Sequence, residues 1–166
     1  YIRMVITAFM FLCGVNFNLY FLSLKHGLKT FTRDSEFKLY VFVFAAASLF
    51  IFAALLISGQ YDEVLPAFSD SVFQVSSILT TTGFITADYE TWPIVCQMVL
   101  LMLMFIGGCS SSTGGGIKVV RILVLLKLIR RGISTRLHPN IVESVKLNGK
   151  NMPGDAVSAI VNHFFL

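Results

Sequence analysis

Charge is scarce in this chain, and so are the residue types on which most active sites depend. Thirteen Lys and Arg and nine Asp and Glu among 166 residues are about half the charged fraction of a soluble domain. An ordinary water-facing globular surface is thereby excluded. Three cysteines, Cys13, Cys96 and Cys109, lie in or beside apolar segments without metal-ligand spacing, which excludes a zinc site and leaves them as small packing residues. His26, His138 and His163 are scattered, so no His/Asp or Cys/His catalytic arrangement can be built. No catalytic residue and no cofactor are expected. No cleavable signal is expected in these residues either, because the apolar N-terminal stretch is too long and lacks a small-residue cleavage site.

What is abundant is apolar: 55% of the residues are hydrophobic and sixteen are Phe. This composition implies a polytopic membrane protein. Residues 39–58 carry no charge and, at about 1.5 Å per residue, match a hydrocarbon core of roughly 30 Å. Residues 4–24 form a second expected span, whose Gly14, Asn16 and Asn18 should face other helices rather than lipid. Residues 94–106 and 117–129 are each too short to cross alone. Between them stand Gly107, Gly108, Cys109, Ser110, Ser111, Ser112, Thr113, Gly114, Gly115 and Gly116. Glycine disfavours helix by about 1 kcal/mol relative to Ala, so an unwound segment within one crossing is expected. Residues 156–166 begin a further helix. With Tyr1 at one end and that unfinished helix at the other, the chain reads as a piece of a longer protein.

The unequal distribution of charge orients these segments. Asp62, Glu63, Asp70, Asp88 and Glu90 fall within residues 59–93, which hold no Lys or Arg. Residues 117–155 hold Lys118, Arg121, Lys127, Arg130, Arg131, Arg136, Lys146 and Lys150, and residues 25–38 add four more bases. The positive-inside rule puts both basic segments in the cytoplasm and the acidic side outside. Acids at a mouth concentrate cations; the same acids can equally serve only to solvate a loop. The basic residues need no reading beyond topology and anionic lipid, and no nucleic-acid partner is inferred.

The acidic side carries Thr80-Thr81-Thr82-Gly83-Phe84, preceded by the short apolar segment 66–79. Pro66 suits the first turn of a helix, and the segment re-enters a bilayer without crossing it. A pore helix so placed aims its partly negative C-terminus at the membrane centre. Gly83 can adopt backbone angles that turn successive carbonyls the same way. Thr81, Thr82, Gly83 and Phe84 would then replace an ion's hydration shell, with potassium at Thr81, Thr82 and Gly83. The rival reading of this run is a plain polar turn. The second loop fails the phosphate-binding pattern, since Ile117 separates Gly116 from Lys118.

Together, the Thr80–Phe84 run and the run from Met104 through Gly107 and Gly116 to Arg121 resemble the Trk/Ktr/HKT potassium transporter superfamily. His138-Pro139-Asn140 and Val145-Lys146-Leu147-Asn148-Gly149 resemble its cytoplasmic linker. The resemblance implies an all-α membrane fold in which four helix, pore-loop, helix repeats surround one pore, as in potassium channels. On it, residues 1–36 end the second repeat, 37–131 form the third, 132–155 are linker and 156–166 start the fourth. It implies one quarter of a selectivity filter at Thr81–Phe84 and a gate at residues 107–116, the second helix being broken there. It further implies potassium uptake, passive or by symport, as a multi-pass protein of the bacterial inner membrane. The implied partners are a cytoplasmic nucleotide-binding regulatory ring of TrkA-like kind and a second copy of the full-length protein. Lys118, Arg121, Arg130, Arg131 and the linker to Lys150 are candidate contacts for that ring, although these positions do not form one helical face. One departure stands out: where the family usually has a glycine within the serine cluster, this chain has Ser110-Ser111-Ser112, which would stiffen or narrow the loop.

Two other readings compete. A homotetrameric two-helix channel would carry a filter of the Thr-Val-Gly-Tyr-Gly type, whereas Phe84-Ile85-Thr86 follows Gly83 here. A membrane enzyme using a serine of the 110–112 cluster would need a base, and the apolar segments offer only His163.

Overall fold

The structure, a computed structural model, describes residues 1–137, 146–148, 150–151, 159–160 and 162. Among the described residues up to 137, seven α-helices run in order, with one 3-10 turn at Tyr89–Thr91: α1 Ile2–Cys13, α2 Phe17–His26, α3 Lys29–Arg33, α4 Ser35–Ile57, α5 Val64–Leu79, α6 Ile94–Phe105 and α7 Val119–Leu137. A small antiparallel hairpin follows, with β1 Lys146–Leu147 paired to β2 Lys150–Asn151. Among the described residues the architecture is therefore all-α apart from this hairpin. The linker motif at residues 138–140 and most of the expected last helix lie outside the described residues, although positions 159–160 and 162 are helical.

α4 is the expected long span, long and apolar enough to cross a membrane. It begins four residues before the uncharged run because Asp34 caps it, accepting the Phe37 N–H at 2.7 Å. Its buried residues Tyr40, Ala47, Ile51 and Leu55 recur at helical spacing and pack against α5. Its other face leaves Phe42, Leu49, Phe50 and Ile57 exposed. α6 exposes Ile94, Val95, Met98, Leu101, Met102 and Phe105 in the same way. Such surface is costly in water and inert in lipid, where close packing rather than hydrophobicity holds helices together.

The segment 4–24, expected as one span, is two helices bent by 86°. Asn16 causes the new start: its side chain accepts the Asn18 N–H at 2.9 Å and caps α2. Gly14 explains the position of the break. A Cβ there would lie 2.2 Å from the Tyr40 hydroxyl oxygen and 2.9 Å from Thr80 Cγ2, so only glycine lets α1 end against α4 and α5. α7, conversely, runs past the apolar limit at Ile129 to Leu137, because Arg130, Arg131 and Arg136 propagate helix as well as apolar residues do.

α5 is the buried centre, packed by α1, α4 and α6. It buries ten residues, among them Asp70, Ser71, Gln74, Ser76 and Ser77. A helix this polar and this buried is adapted to protein neighbours, not to lipid.

Gly14→Ala should lower the thermal unfolding midpoint of the full-length parent in detergent by several degrees, reflecting about 1–3 kcal/mol of overpacking. Adding Tyr40→Phe should recover part of the loss. An unchanged midpoint in the single variant would contradict the close approach.

Candidate functional site: a strained threonine turn against a glycine-serine loop

The turn after α5 is built from backbone that L-residues avoid. Thr81 has φ +55 and Gly83 φ +82. Glycine tolerates such angles, but a β-branched threonine does so only at about 1–3 kcal/mol and where its surroundings hold it. Those surroundings are specific. The Ser77 carbonyl accepts N–H groups from Thr82 at 2.8 Å and Gly83 at 3.3 Å, and the Ser77 hydroxyl donates to the Phe84 carbonyl at 2.6 Å. Thr80 donates to the Ser76 carbonyl at 2.7 Å, and its hydroxyl lies 2.8 Å from that of Thr82. Thr80 is buried, whereas Thr81, Thr82, Gly83 and Phe84 are exposed. The four expected filter residues thus form one open face at the negative end of α5. One lone pair of the Phe84 carbonyl is already taken by Ser77.

Farther along, Asp70 receives three donors: Arg3 Nη1 at 3.0 Å, Thr86 Oγ1 at 3.2 Å and the Tyr61 hydroxyl at 3.1 Å. Burial and then the Asp70 charge raise the Tyr61 phenol above its ordinary value, which keeps it protonated as a donor. Of the five acids expected at a mouth, Asp70 is therefore not one. It is buried, while Asp62, Glu63, Asp88 and Glu90 are exposed.

The loop from Gly107 to Gly116 joins α6 to α7 through a short neck: Gly107 N–H donates to the Ile117 carbonyl at 2.9 Å, and Ile117 N–H to that of Phe105 at 3.0 Å. Its interior is closely fitted rather than slack. Cys109 N–H donates to the Gly14 carbonyl at 2.9 Å, Thr113 Oγ1 to that of Cys13 at 3.2 Å, and Phe17 N–H to that of Ser111 at 3.1 Å. Lys118 Nζ donates to the Gly114 carbonyl. That contact turns one of the candidate regulator-binding bases back onto the loop. Most directly, Gly115 N–H donates to Thr81 Oγ1 at 2.7 Å, so the loop and the strained turn touch.

Glycine matters here through close approach. A Cβ on Gly107 would lie 1.7 Å from the Gly115 carbonyl oxygen, and one on Gly108 would lie 2.6 Å from Ser112 Oγ and 2.9 Å from the Gly14 carbonyl oxygen. Ser111, in the middle of the serine cluster, has φ +55, a conformation glycine adopts freely. Its hydroxyl accepts from Asn18 Nδ2 at 3.5 Å, a contact glycine could not make.

One anchor was not anticipated from the sequence. Glu36, 4% exposed in the first turn of α4, accepts both the N–H and, at 2.7 Å, the hydroxyl of Ser110. Asn16 Nδ2 donates to the same hydroxyl oxygen at 3.1 Å. The serine cluster thus has an acid beside it, supplied by the flank of α4 and not by the apolar run itself. Because Glu36 takes the backbone N–H as well, it works as a bidentate anchor of the loop. Among the described residues, no group of three or more metal-ligating side chains occurs.

Comparison with known proteins sets this geometry in context. All of residues 1–166 match the family described as "TrkH: Cation transport protein". The chain is 37% identical over 164 residues to the Trk system potassium uptake protein TrkH of Salmonella typhimurium, covering 98% of this chain and 34% of that protein. It is 31% identical over 166 residues to the Trk system potassium uptake protein TrkG of Escherichia coli, covering 99% and 34% respectively. The crystal structure of the potassium transporter TrkH from Vibrio parahaemolyticus superposes with a TM-score of 0.92 at 34% identity, over 99% of this chain and 36% of that one. The chain spans about a third of the length of the curated relatives it matches.

The glycines of the loop should not be equivalent. In the full-length parent, Gly107→Ala should abolish recovery of monodisperse protein in detergent, since its Cβ meets backbone. Gly115→Ala, whose Cβ would find Thr81 Oγ1 at an ordinary 3.5 Å, should purify like the parent. Equal behaviour of the two would refute the close-packed reading.

Proposed function

The chain belongs to the TrkH cation-transport family, and on that premise we propose that it supplies the third quarter of a potassium-uptake pore. It belongs to a family of transporters, not enzymes. Thr81, Thr82, Gly83 and Phe84 are the filter residues, and residues 107–116 are the gate. The observation that carries this reading is the contact between the two: a left-handed threonine at the end of a buried half-length helix, held by an N–H of the glycine-serine loop.

The chemistry follows from that arrangement. A potassium ion entering the exposed face exchanges water for carbonyl and hydroxyl oxygens of residues 81–84, next to the partly negative end of α5. Holding those oxygens at fixed positions in advance lowers the cost of dehydrating the ion. The loop beside Thr81 lies across the route the ion takes next, and clearing it means exchanging the Gly115–Thr81 bond and the Glu36–Ser110 anchor for other partners. Where the family resemblance implies a glycine within the serine cluster, Ser110, Ser111 and Ser112 all carry side chains, and the contact of Ser111 with Asn18 makes the closed arrangement stiffer in this chain.

The remaining assignments rest on the same premise. The acidic segment 59–93 faces outward and the basic segments face the cytoplasm of a bacterium. Residues 37–131 form the third repeat of the full-length protein, which pairs with a second copy and with a nucleotide-binding regulatory ring. Arg121, Arg130 and Arg131 remain candidate contacts for that ring, whereas Lys118 is engaged by Gly114. A serine-nucleophile reading loses support because Glu36 is already shared between the Ser110 hydroxyl and N–H.

Potassium uptake by the full-length parent, in cells lacking their own uptake systems, should vanish in Gly83→Asp while membrane insertion persists. Normal uptake by that variant would sink the filter assignment. Deleting residues 110–115 should raise potassium flux in stably inserted protein. Unchanged or lower flux would count against the gate.

A further inference from the structure

Asp70 is unlike the other acids of its segment. It lies two helical turns before Ser77 on the same face of α5, and the two residues hold the chain that leaves the turn at two points. Ser77 binds Thr82, Gly83 and Phe84, and Asp70 binds Thr86. The two fastenings keep residues 83–86 alongside the last two turns of α5.

The fastening at Asp70 is itself braced. Arg3, from α1, occupies the same carboxylate oxygen as Thr86, and Tyr61 occupies the other. The Asp70 side chain is 8% exposed, whereas that of Arg3 is 57% exposed. The buried partner is therefore the carboxylate, and removing its donors would leave it underpaired. Thr86 lies beyond the four filter residues and coordinates nothing in the reading above. Its hydroxyl acts on the filter only through the path of the backbone.

We propose that Asp70, through Thr86, is a specificity-determining positioning residue, which fixes the outgoing filter strand so that its oxygens suit potassium and not the smaller sodium ion. This inference rests on the filter reading of residues 81–84. The physical ground is that a smaller cation needs the same oxygens to close in further. A strand fastened at both ends of a two-turn stretch resists that, and a strand fastened at one end yields.

The test measures potassium and sodium uptake by the full-length parent and by Thr86→Val, Thr86→Ser, Asp70→Asn and Gly83→Asp, each checked for membrane insertion. Thr86→Val removes one hydrogen bond without changing shape and should lower the potassium-to-sodium ratio roughly three- to tenfold, the range of one lost hydrogen bond. Thr86→Ser keeps the hydroxyl and should retain the parent ratio, which a purely steric role for the threonine methyl would not predict. Asp70→Asn should lower the ratio at least as far as Thr86→Val. If Asp70→Asn fails to insert, the Thr86 pair still decides. A parent-like ratio in Thr86→Val overturns the proposal even where Gly83→Asp abolishes uptake and the filter reading stands. Uptake undiminished in Gly83→Asp removes the filter reading, and the proposal with it.

Discussion

An interrupted helix in an apolar bundle frees N–H and C=O groups that lipid cannot satisfy, each unpaired group costing several kcal/mol. This molecule interrupts two, after Cys13 and after Phe105, and the interruptions pair with each other. Gly14 and Cys13 offer carbonyls to Cys109 and Thr113, and Phe17 returns an N–H to Ser111. Gly14 and Gly108 permit the backbones to come that close. The loop, the bend between α1 and α2, and the seating of both beside Thr80 follow from this exchange.

The same accounting explains the polar interior of α5. Its buried serines Ser71, Ser76 and Ser77, with Thr80, spend their hydroxyls on backbone carbonyls, which supports a buried helix whose chain turns into a strained conformation at Thr81. Ser77 carries the most: its carbonyl and hydroxyl together hold three of the four exposed residues that follow. Strain and support thus sit next to each other, as expected where function requires an unfavourable backbone.

Much of this was legible in the sequence. The apolar runs predicted α4, α5 and α6 to within a few residues, because hydropathy and a capping or proline residue mark their ends. The glycine-serine interruption and the threonine turn were equally visible, since few other sequences suit irregular backbone between apolar helices. The bend at residues 14–16 was not, because Gly and Asn also occur inside continuous spans, and what breaks this one is Tyr40 and Thr80, far away in sequence. Glu36 and Asp70 escaped for a related reason. An acid at the edge of an apolar run looks like a solvated flank until its partners, 74 and 67 residues distant, are known. The hairpin did leave a local sign in Asn148-Gly149, a dipeptide favoured in two-residue turns, and Asn148 has the left-handed φ of +48 that such turns use. Its side chain joins Asp34 and the start of α4, donating to the Asp34 carboxylate at 2.6 Å and accepting the Ser35 N–H at 2.9 Å.

The neck between Ile106 and Ile117 has an evolutionary consequence. These two residues form a parallel bridge, so the ten residues between them leave and rejoin the scaffold at one point. The entropy of closing such an excursion grows only slowly with its length, so the neck itself sets little limit on how long the loop can be. What limits its contents is contact: Gly107 and Gly108 have no room for a Cβ, and Cys109, Ser110, Ser111 and Thr113 are bonded to the bend after α1 and to α4, so exchanges at those positions reach the surrounding helices and exchanges between them need not.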